Sequence, residues 1–213
     1  MTKILITEFI DSQSLQNINK KFDVIYKKDA WQNKDFLEKE IQKFDGIIVR
    51  NKTSLDKNIL INASNLKFIG RLGVGLDNID TEYCKKNNII VQPATGMNSD
   101  SVAEYVVNSS LTLLKKTQII NELTLQGKWP RTSIVTKELK GKILGLIGFG
   151  DISKKVLKLV NAFDVTCIAY DPFVSSKEME AVSVKKVPFD EILNLANIIS
   201  IHIPLSKETK NLF

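Results

Sequence analysis

Histidine occurs once and cysteine twice in these 213 residues, too few and too scattered for a zinc site of ordinary spacing. Cys84 and Cys167 match no metal-ligand pattern and read as two reduced, buried thiols. No metal is expected. Arginine is scarce too, standing only at 50, 71 and 131, so the net charge of +6 is almost entirely lysine. Those lysines are scattered among Asp, Glu and Asn, without the stripe of basic residues and aromatics that a nucleic-acid binder concentrates. The pattern is that of a solvated lysine-rich surface, and nucleic acid is not an expected partner. No apolar run approaches the length that crosses a bilayer, so no membrane partner is expected either. Met1-Thr2-Lys3-Ile4-Leu5-Ile6 enters an apolar strand at once, with none of the layout of a signal peptide. The chain reads as cytoplasmic.

What is present is an alternation. Short apolar, β-branched runs at Lys3–Ile6, Phe22–Tyr26, Gly46–Val49, Lys67–Gly70 and Ile89–Val91 are separated by amphipathic stretches such as Lys34–Phe44. In that stretch Phe36, Leu37, Ile41 and Phe44 recur at helical spacing. Such alternation implies a parallel sheet with helices on both faces. The first ninety or so residues thus make one small α/β domain. Gln92-Pro93-Ala94-Thr95-Gly96-Met97-Asn98 is rich in turn residues and reads as a hinge. After it, Ser101 and Glu104 are expected to form a capping box. Val102, Ala103, Val106, Val107, Leu111 and Leu114 supply the apolar stripe of a long helix. That helix either fades past Lys115-Lys116 or continues to Gly127 as a second segment. A second α/β unit follows, with strands at Ile143–Ile147, Thr166–Tyr170, near Val184–Val187 and at Ile198–Ile201. Helices are expected at Ile152–Phe163 and near Asp190–Leu195. The domain boundary is placed between residues 98 and 99.

The strongest local signal is Gly148-Phe149-Gly150-Asp151-Ile152-Ser153, a G-x-G-x-x-S pattern straight after a strand and straight before a helix. Gly148 allows a tight turn, and Gly150 lets the backbone approach a pyrophosphate. The helix start at Asp151 and Ile152 then offers free N–H groups and a positive dipole end. Ser153 stands where a third Gly or Ala usually packs helix on strand. Asp171, at the end of the next strand, is placed to bind both ribose hydroxyls of NAD. No arginine adjoins it to receive a 2′-phosphate, which favours NAD over NADP.

With these residues in hand, the sequence resembles the NAD-dependent D-isomer-specific 2-hydroxyacid dehydrogenases. Arg71-Leu72-Gly73-Val74-Gly75-Leu76-Asp77-Asn78-Ile79-Asp80 looks like that family's substrate loop. Asn98-Ser99-Asp100-Ser101-Val102-Ala103-Glu104-Tyr105 is similar to its hinge helix. Gly127-Lys128-Trp129, Glu138-Leu139-Lys140-Gly141-Lys142, Tyr170-Asp171-Pro172 and His202-Ile203-Pro204-Leu205 follow in the family's order. Val49-Arg50-Asn51-Lys52-Thr53 and the Asp77–Asp80 loop are most similar to the 3-phosphoglycerate dehydrogenase branch.

The resemblance implies two doubly wound α/β domains. Residues 1–98 would be a flavodoxin-like substrate-binding domain, and residues 99–213 an incomplete Rossmann domain that binds NAD. It implies interconversion of a D-2-hydroxyacid and its 2-oxoacid, with substrate contacts at Arg50, Asn51, Val74 and Gly75. Cofactor contacts would come from Val74, Val102, Gly148, Gly150, Asp151, Ile152, Asp171, His202, Ile203 and Pro204. Arg50 alone reads equally as an exposed strand-end charge; its place beyond a strand's carboxyl end is where open α/β sheets bind ligands. His202, the sole histidine, would suit proton transfer by its ordinary pKa, but the resemblance puts it beside the cofactor. The family's catalytic Arg, Glu and His are expected beyond Phe213, leaving this chain truncated, without a catalytic residue and inactive alone. An open sheet edge after Ile198–Ile201 favours a fragment. The alternative is a non-catalytic NAD-binding regulator on the same fold. Apolar residues at Ile119, Ile120, Leu123, Leu125 and Trp129, in the family's dimer region, imply a homodimer.

Overall fold

The computed structural model describes residues 1–206 and 208–212, which form two compact units, Met1–Met97 and a second beginning at Asn98. The first contains β1 (Lys3–Ile6), α1 (Ser12–Asn19), β2 (Asp23–Tyr26), α2 (Lys34–Glu40), β3 (Gly46–Val49), α3 (Lys57–Leu60), β4 (Phe68–Arg71), α4 (Thr81–Lys86) and β5 (Ile90–Pro93). Four of its helices begin at an Asp or Asn whose side chain accepts a backbone N–H. Asp11 takes Ser14, Asn33 takes Phe36, Asp56 takes Ile59 and Asp80 takes Tyr83. Each cap satisfies a first-turn donor that the helix cannot, a contribution of about 0.5–2 kcal/mol. The strands pair in parallel in the order β2-β1-β3-β4-β5, the flavodoxin-like doubly wound arrangement. β3 is buried along its whole length, as a central parallel strand covered on both faces must be. Its Ile47 and Val49 join Leu5, Leu37, Ile59 and Ile69 in one core layer. Ile48 faces the other way, with Ile4, Ile6 and Ile10.

The second unit contains α5 (Ser99–Lys115), α6 (Thr117–Leu125), β6 (Ile143–Ile147), α7 (Asp151–Val160), β7 (Thr166–Tyr170), α8 (Ser176–Glu180), β8 (Lys185–Lys186), α9 (Phe189–Leu195) and β9 (Ile198–Ile201). The parallel sheet runs β8-β7-β6-β9. Relative to its own first strand this is the order 3-2-1-4, with which the dinucleotide-binding sheet begins. α5 and α7 bury Ala103, Val106, Val156 and Val160 on one face, with Leu144, Leu146 and Ala169 of the strands. Ile147, Ile168 and Ile192 form the layer on the other face.

The helix after the hinge corrects one expectation. α5 starts at Ser99 with Asn98 as its cap residue, and no side chain caps it. Ser101 therefore lies inside the first turn, and the Ser101–Glu104 capping box does not form. The turn at residues 95–98 already delivers the chain into helical geometry two residues earlier. The two-segment alternative holds farther on: Lys116 adopts a left-handed conformation (φ 52°) between α5 and α6. Both thiols are buried, and desolvation pushes each up to about 11, so both stay protonated at neutral pH. Among the described residues, no helix is long and apolar enough to cross a membrane, and no cluster of His, Cys, Asp and Glu is arranged to hold a metal.

Candidate functional site

In the second unit the chain reverses at the carboxyl end of β6, where the strand order also reverses. Gly148 carries a φ of +87°, and its N–H donates to the Tyr170 carbonyl at 2.8 Å. A Cβ at this position would stand 2.6 Å from the His202 carbonyl oxygen and 2.9 Å from Ile203 Cγ2. Backbone conformation and space both require glycine here. Gly150 differs: it is exposed, it has ordinary extended backbone (φ −86°), and a Cβ built on it meets nothing within 4 Å. The turn is thus packed from behind at Gly148 and open in front at Gly150.

Two side chains and one backbone amide fix this turn. Ser153 is fully buried, and its hydroxyl donates to the Gly148 carbonyl at 2.5 Å. The hydroxyl does more than fit where a smaller residue was expected: it satisfies the carbonyl that the tight turn leaves over. Asp171 follows β7 directly; its Oδ2 accepts the Phe149 N–H at 2.8 Å, and its Oδ1 accepts those of Phe173 at 2.8 Å and Val174 at 3.2 Å. One carboxylate therefore ties the glycine turn to the loop after β7, and of its four lone-pair sites these three bonds leave one over, on a half-buried residue. His202 completes the frame through its backbone, its N–H donating to the Ile147 carbonyl at 2.7 Å. Its ring Nε2 pairs with the Ser200 hydroxyl at 2.8 Å, and burial lowers its pKa, so the imidazole is neutral at pH 7. Ile203 is partly buried against the layer that contains Ile147. Pro204 is exposed, and Val102 is half-buried in the first turn of α5.

The amides of the first turn of α7 have no acceptor within the helix, and the cap residue, Gly150, has no side chain to supply one. An anion in the open space before Gly150 meets these donors and the positive end of the helix dipole. Asp151 is not the cap but the first helical residue, exposed, with its Oδ2 3.8 Å from Lys155 Nζ. Lys155 also bonds Asp100 at 2.9 Å, and this acid beside it holds the ammonium above its usual range. Lys155 therefore sits between the first-turn acids of α5 and α7.

In the first unit, Arg50 and Asn51 follow β3 and are exposed, while Val74 and Gly75 are exposed in the loop after β4. The two loops are joined by Asn78, whose side-chain amide donates to the carbonyls of Arg50 at 2.9 Å and Thr53 at 2.7 Å. A buried carboxylate holds the amides of the same segment. Glu8, 4% exposed, accepts the N–H groups of Arg50 at 2.8 Å and Thr53 at 2.9 Å on Oε1, and that of Lys52 at 3.1 Å on Oε2. Burial pushes its pKa up, but the donors from Thr53, Arg50 and Lys52 outweigh it and hold the carboxyl below its ordinary range. The Arg71 guanidinium passes beneath the glycine loop, its Nη1 where a Gly73 Cβ would stand, and its buried Nε has no hydrogen-bond partner. Among the described residues neither Arg50 nor Arg71 is in an ion pair.

The sequence pattern points to neither Glu8 nor a role for Arg71, while Lys155 is legible as a cation one turn after Asp151. Arg71 was within reach, being one of three arginines and the opening residue of the glycine loop motif. Glu8 gave no local signal, because its partners lie 42 to 45 residues away.

Comparison with known proteins agrees with this geometry. The family model of the D-isomer specific 2-hydroxyacid dehydrogenase catalytic domain matches residues 4–183. The chain is 35% identical over 207 residues to the D-3-phosphoglycerate dehydrogenase of Archaeoglobus fulgidus, covering 97% of this chain and 39% of that one. It is 33% identical over 213 residues to the (S)-sulfolactate dehydrogenase of Chromohalobacter salexigens, covering all of this chain and 69% of that one. The crystal structure of the D-lactate dehydrogenase of Aquifex aeolicus, complexed with NAD and lactic acid, superposes with a TM-score of 0.86 at 29% identity, over 97% of this chain and 62% of that one. The chain thus spans about two fifths of the first relative's length and a little over three fifths of the solved structure's. Two parallel sheets of the right order, a glycine turn tied to an aspartate and a match over most of the residues lead to one conclusion: this chain belongs to the D-isomer specific 2-hydroxyacid dehydrogenase family.

Proposed function

We propose that the chain serves an NAD-dependent interconversion of a D-2-hydroxyacid and its 2-oxoacid, with residues 1–98 as the substrate-binding domain and 99–213 as the NAD-binding domain. The observation that carries this reading is the turn from Gly148 to Ile152, with packed glycine behind, open space at Gly150 and unpaired helix amides in front. Gly150, Asp151 and Ile152 border the pyrophosphate, Asp171 receives the adenosine ribose, and His202, Ile203, Pro204 and Val102 line the rest. When bound, NAD supplies the hydride acceptor. In the first unit the exposed amides at Val74 and Gly75 receive the substrate carboxylate, with Arg71 beneath them. Arg50 and Asn51 hold a second polar or anionic group. Two arginines without acid partners suit a substrate with more than one negative charge, and relatives named D-3-phosphoglycerate dehydrogenase make 3-phosphoglycerate the first candidate. No proton transfer is assigned to any residue of this chain: His202, its sole histidine, is half-buried with its Nε2 engaged by the Ser200 hydroxyl.

Asp171→Ala tests the nucleotide assignment. NADH affinity is expected to fall about tenfold or more, because the ribose loses a charged partner and the turn loses its tie to the β7 loop. The preference for NADH over NADPH narrows, since a 2′-phosphate no longer meets a carboxylate. Equal affinity of the parent chain for both cofactors would contradict the assignment.

Asp151→Asn is expected to tighten NADH binding several-fold. A carboxylate at the first helical position favours the dipole by roughly 0.3–1 kcal/mol but repels a pyrophosphate nearby. Lys155 offsets only part of that repulsion, because it bonds Asp100 more closely. The gain should shrink as salt is raised, and titrations at low and high salt read it directly. Weaker binding by the Asn variant would mean that Asp151 faces away from the phosphates.

We further propose a homodimer through α6 and the segment after it. None of the side chains of α6 is buried, and Leu125 and Trp129 are 80% and 85% exposed, an apolar surface that water alone does not favour. Sedimentation at micromolar concentration should give a dimer; a clean monomer would count against it.

A further inference from the structure

In a sheet of order β2-β1-β3-β4-β5 the strand sequence reverses between β1 and β3, and a ligand crevice is expected beyond their carboxyl ends. Here that crevice is filled by the protein itself. Glu8, two residues past β1, sends its carboxylate across to the segment past β3 and takes the amides of Arg50, Lys52 and Thr53. The Thr7 hydroxyl makes the same crossing, pairing with the Thr53 hydroxyl at 2.8 Å and donating to the Ile48 carbonyl at 3.3 Å. A carboxylate this deeply buried normally answers a cation. Among the described residues Glu8 has none within ion-pair distance and is held by the backbone N–H groups of Arg50, Lys52 and Thr53, with the Thr53 hydroxyl beside them.

The bridged elements have a second feature in common. The residues just after Glu8 form one wall of a cavity of about 530 Å³, and Arg50 and Leu72 form the other. On the first side Phe9, Ile10 and Ile18 are apolar and Asp11, Ser14 and Asn17 polar; the Asp11 carboxylate is occupied in capping the N–H of Ser14. Arg50 is the cation of the lining. One side chain thus joins the two walls of the cavity, holding the backbone that carries Phe9 at one end and the backbone that carries Arg50 at the other.

We propose that Glu8 is a positioning residue: it seals the crevice between β1 and β3 and fixes the separation of Arg50 from the Phe9–Ile10 wall, so that the cavity admits the distal group of a small anionic 2-oxoacid or 2-hydroxyacid. This rests on the reading of Arg50 as a substrate-side cation. Because the carboxylate consumes the loop amides, the anion is left to the Arg50 side chain, and specificity for that group depends on where Glu8 holds the loop.

Glu8→Gln keeps the volume and removes the symmetry of the acceptors. Its single carbonyl oxygen can serve Arg50 and Thr53, but its amide then meets the Lys52 N–H donor to donor. The Lys52 amide should exchange with solvent at least about tenfold faster than in the parent, and affinity for D-3-phosphoglycerate should fall about tenfold. The loss should vanish in an Arg50→Ala background, since Glu8 acts through that side chain. Arg50→Ala alone should weaken binding without changing exchange at Lys52. Glu8→Asp, which keeps the charge on a shorter stem, should fall between Gln and parent. If Glu8→Gln binds the ligand as the parent does, or loses as much with Arg50 already removed, the positioning role is overturned. If the parent chain binds no D-3-phosphoglycerate at all, the reading of Arg50 falls first and this inference with it.

Discussion

Gly148→Ala is expected to destabilise the second unit by about 2–5 kcal/mol, combining about 1–2 for left-handed backbone with about 1–3 for overpacking. The two contributions are independent. The φ of +87° disfavours any side chain. The new methyl would also lie 2.6 Å from the His202 carbonyl oxygen, and that oxygen cannot swing aside as a side chain can. His202 is anchored by its N–H to Ile147 at the end of β6, so relief would require parting β9 from β6. Urea unfolding followed by circular dichroism should show the midpoint for the second unit moving well below the parent's. A shift within about 0.5 kcal/mol, typical of a surface substitution, would mean that the turn yields more easily than its geometry implies.

Gly150→Val should do the reverse. Extended backbone accepts a β-branched residue, and the side chain enters open space, so stability should change by no more than about 1 kcal/mol from the poorer helix cap. That space is where the pyrophosphate is proposed to lie. Filling it removes about two hydrogen bonds to a charged group, each worth roughly 1.5–3 kcal/mol, and NADH affinity should drop at least about a hundredfold. Two glycines of one motif, two residues apart, thus separate a folding requirement from a binding requirement. A variant that unfolds, or one that folds and binds NADH as tightly as the parent, would each refute that separation.

The parallel cores were the most legible part of the sequence. β3 and β6 read as unbroken apolar runs because helices cover both their faces, and their limits came out as expected. Strand ends shifted where pairing continues into residues of low strand propensity, as at Gln92 and Pro93 of β5, which still match Gly70 and Arg71 in register. The Ser101–Glu104 box failed because a capping pattern fixes a helix start only when no earlier start competes. Here the preceding turn already supplies one at Ser99. Helical spacing also hid a local change: the stretch expected as one helix over Lys34–Phe44 ends at Glu40 and tightens into a 3₁₀ turn over Ile41–Lys43.

At the site, residues bound to neighbours in sequence were legible and residues bound across the sheet were not. Gly148, Gly150 and Asp171 stand at spacings that one strand–turn–helix–strand passage dictates. Ser153 looked like a weakened match, and only its bond to the Gly148 carbonyl shows why a hydroxyl serves there. Glu8 sits between Thr7 and Phe9 with nothing nearby to distinguish it from a surface acid. Its role appears only when the sheet brings β1 and β3 side by side.

The central claim is that a dinucleotide binds the glycine turn of the second unit, and amide chemical shifts during an NADH titration of the 213-residue chain test it most directly. The account predicts saturable shifts concentrated at Phe149 to Ser153, at Asp171 to Val174 and at His202 and Ile203, with smaller shifts for the same concentration of NADPH. Shifts that leave Phe149 to Ser153 untouched, or no saturable response to NADH, would contradict it.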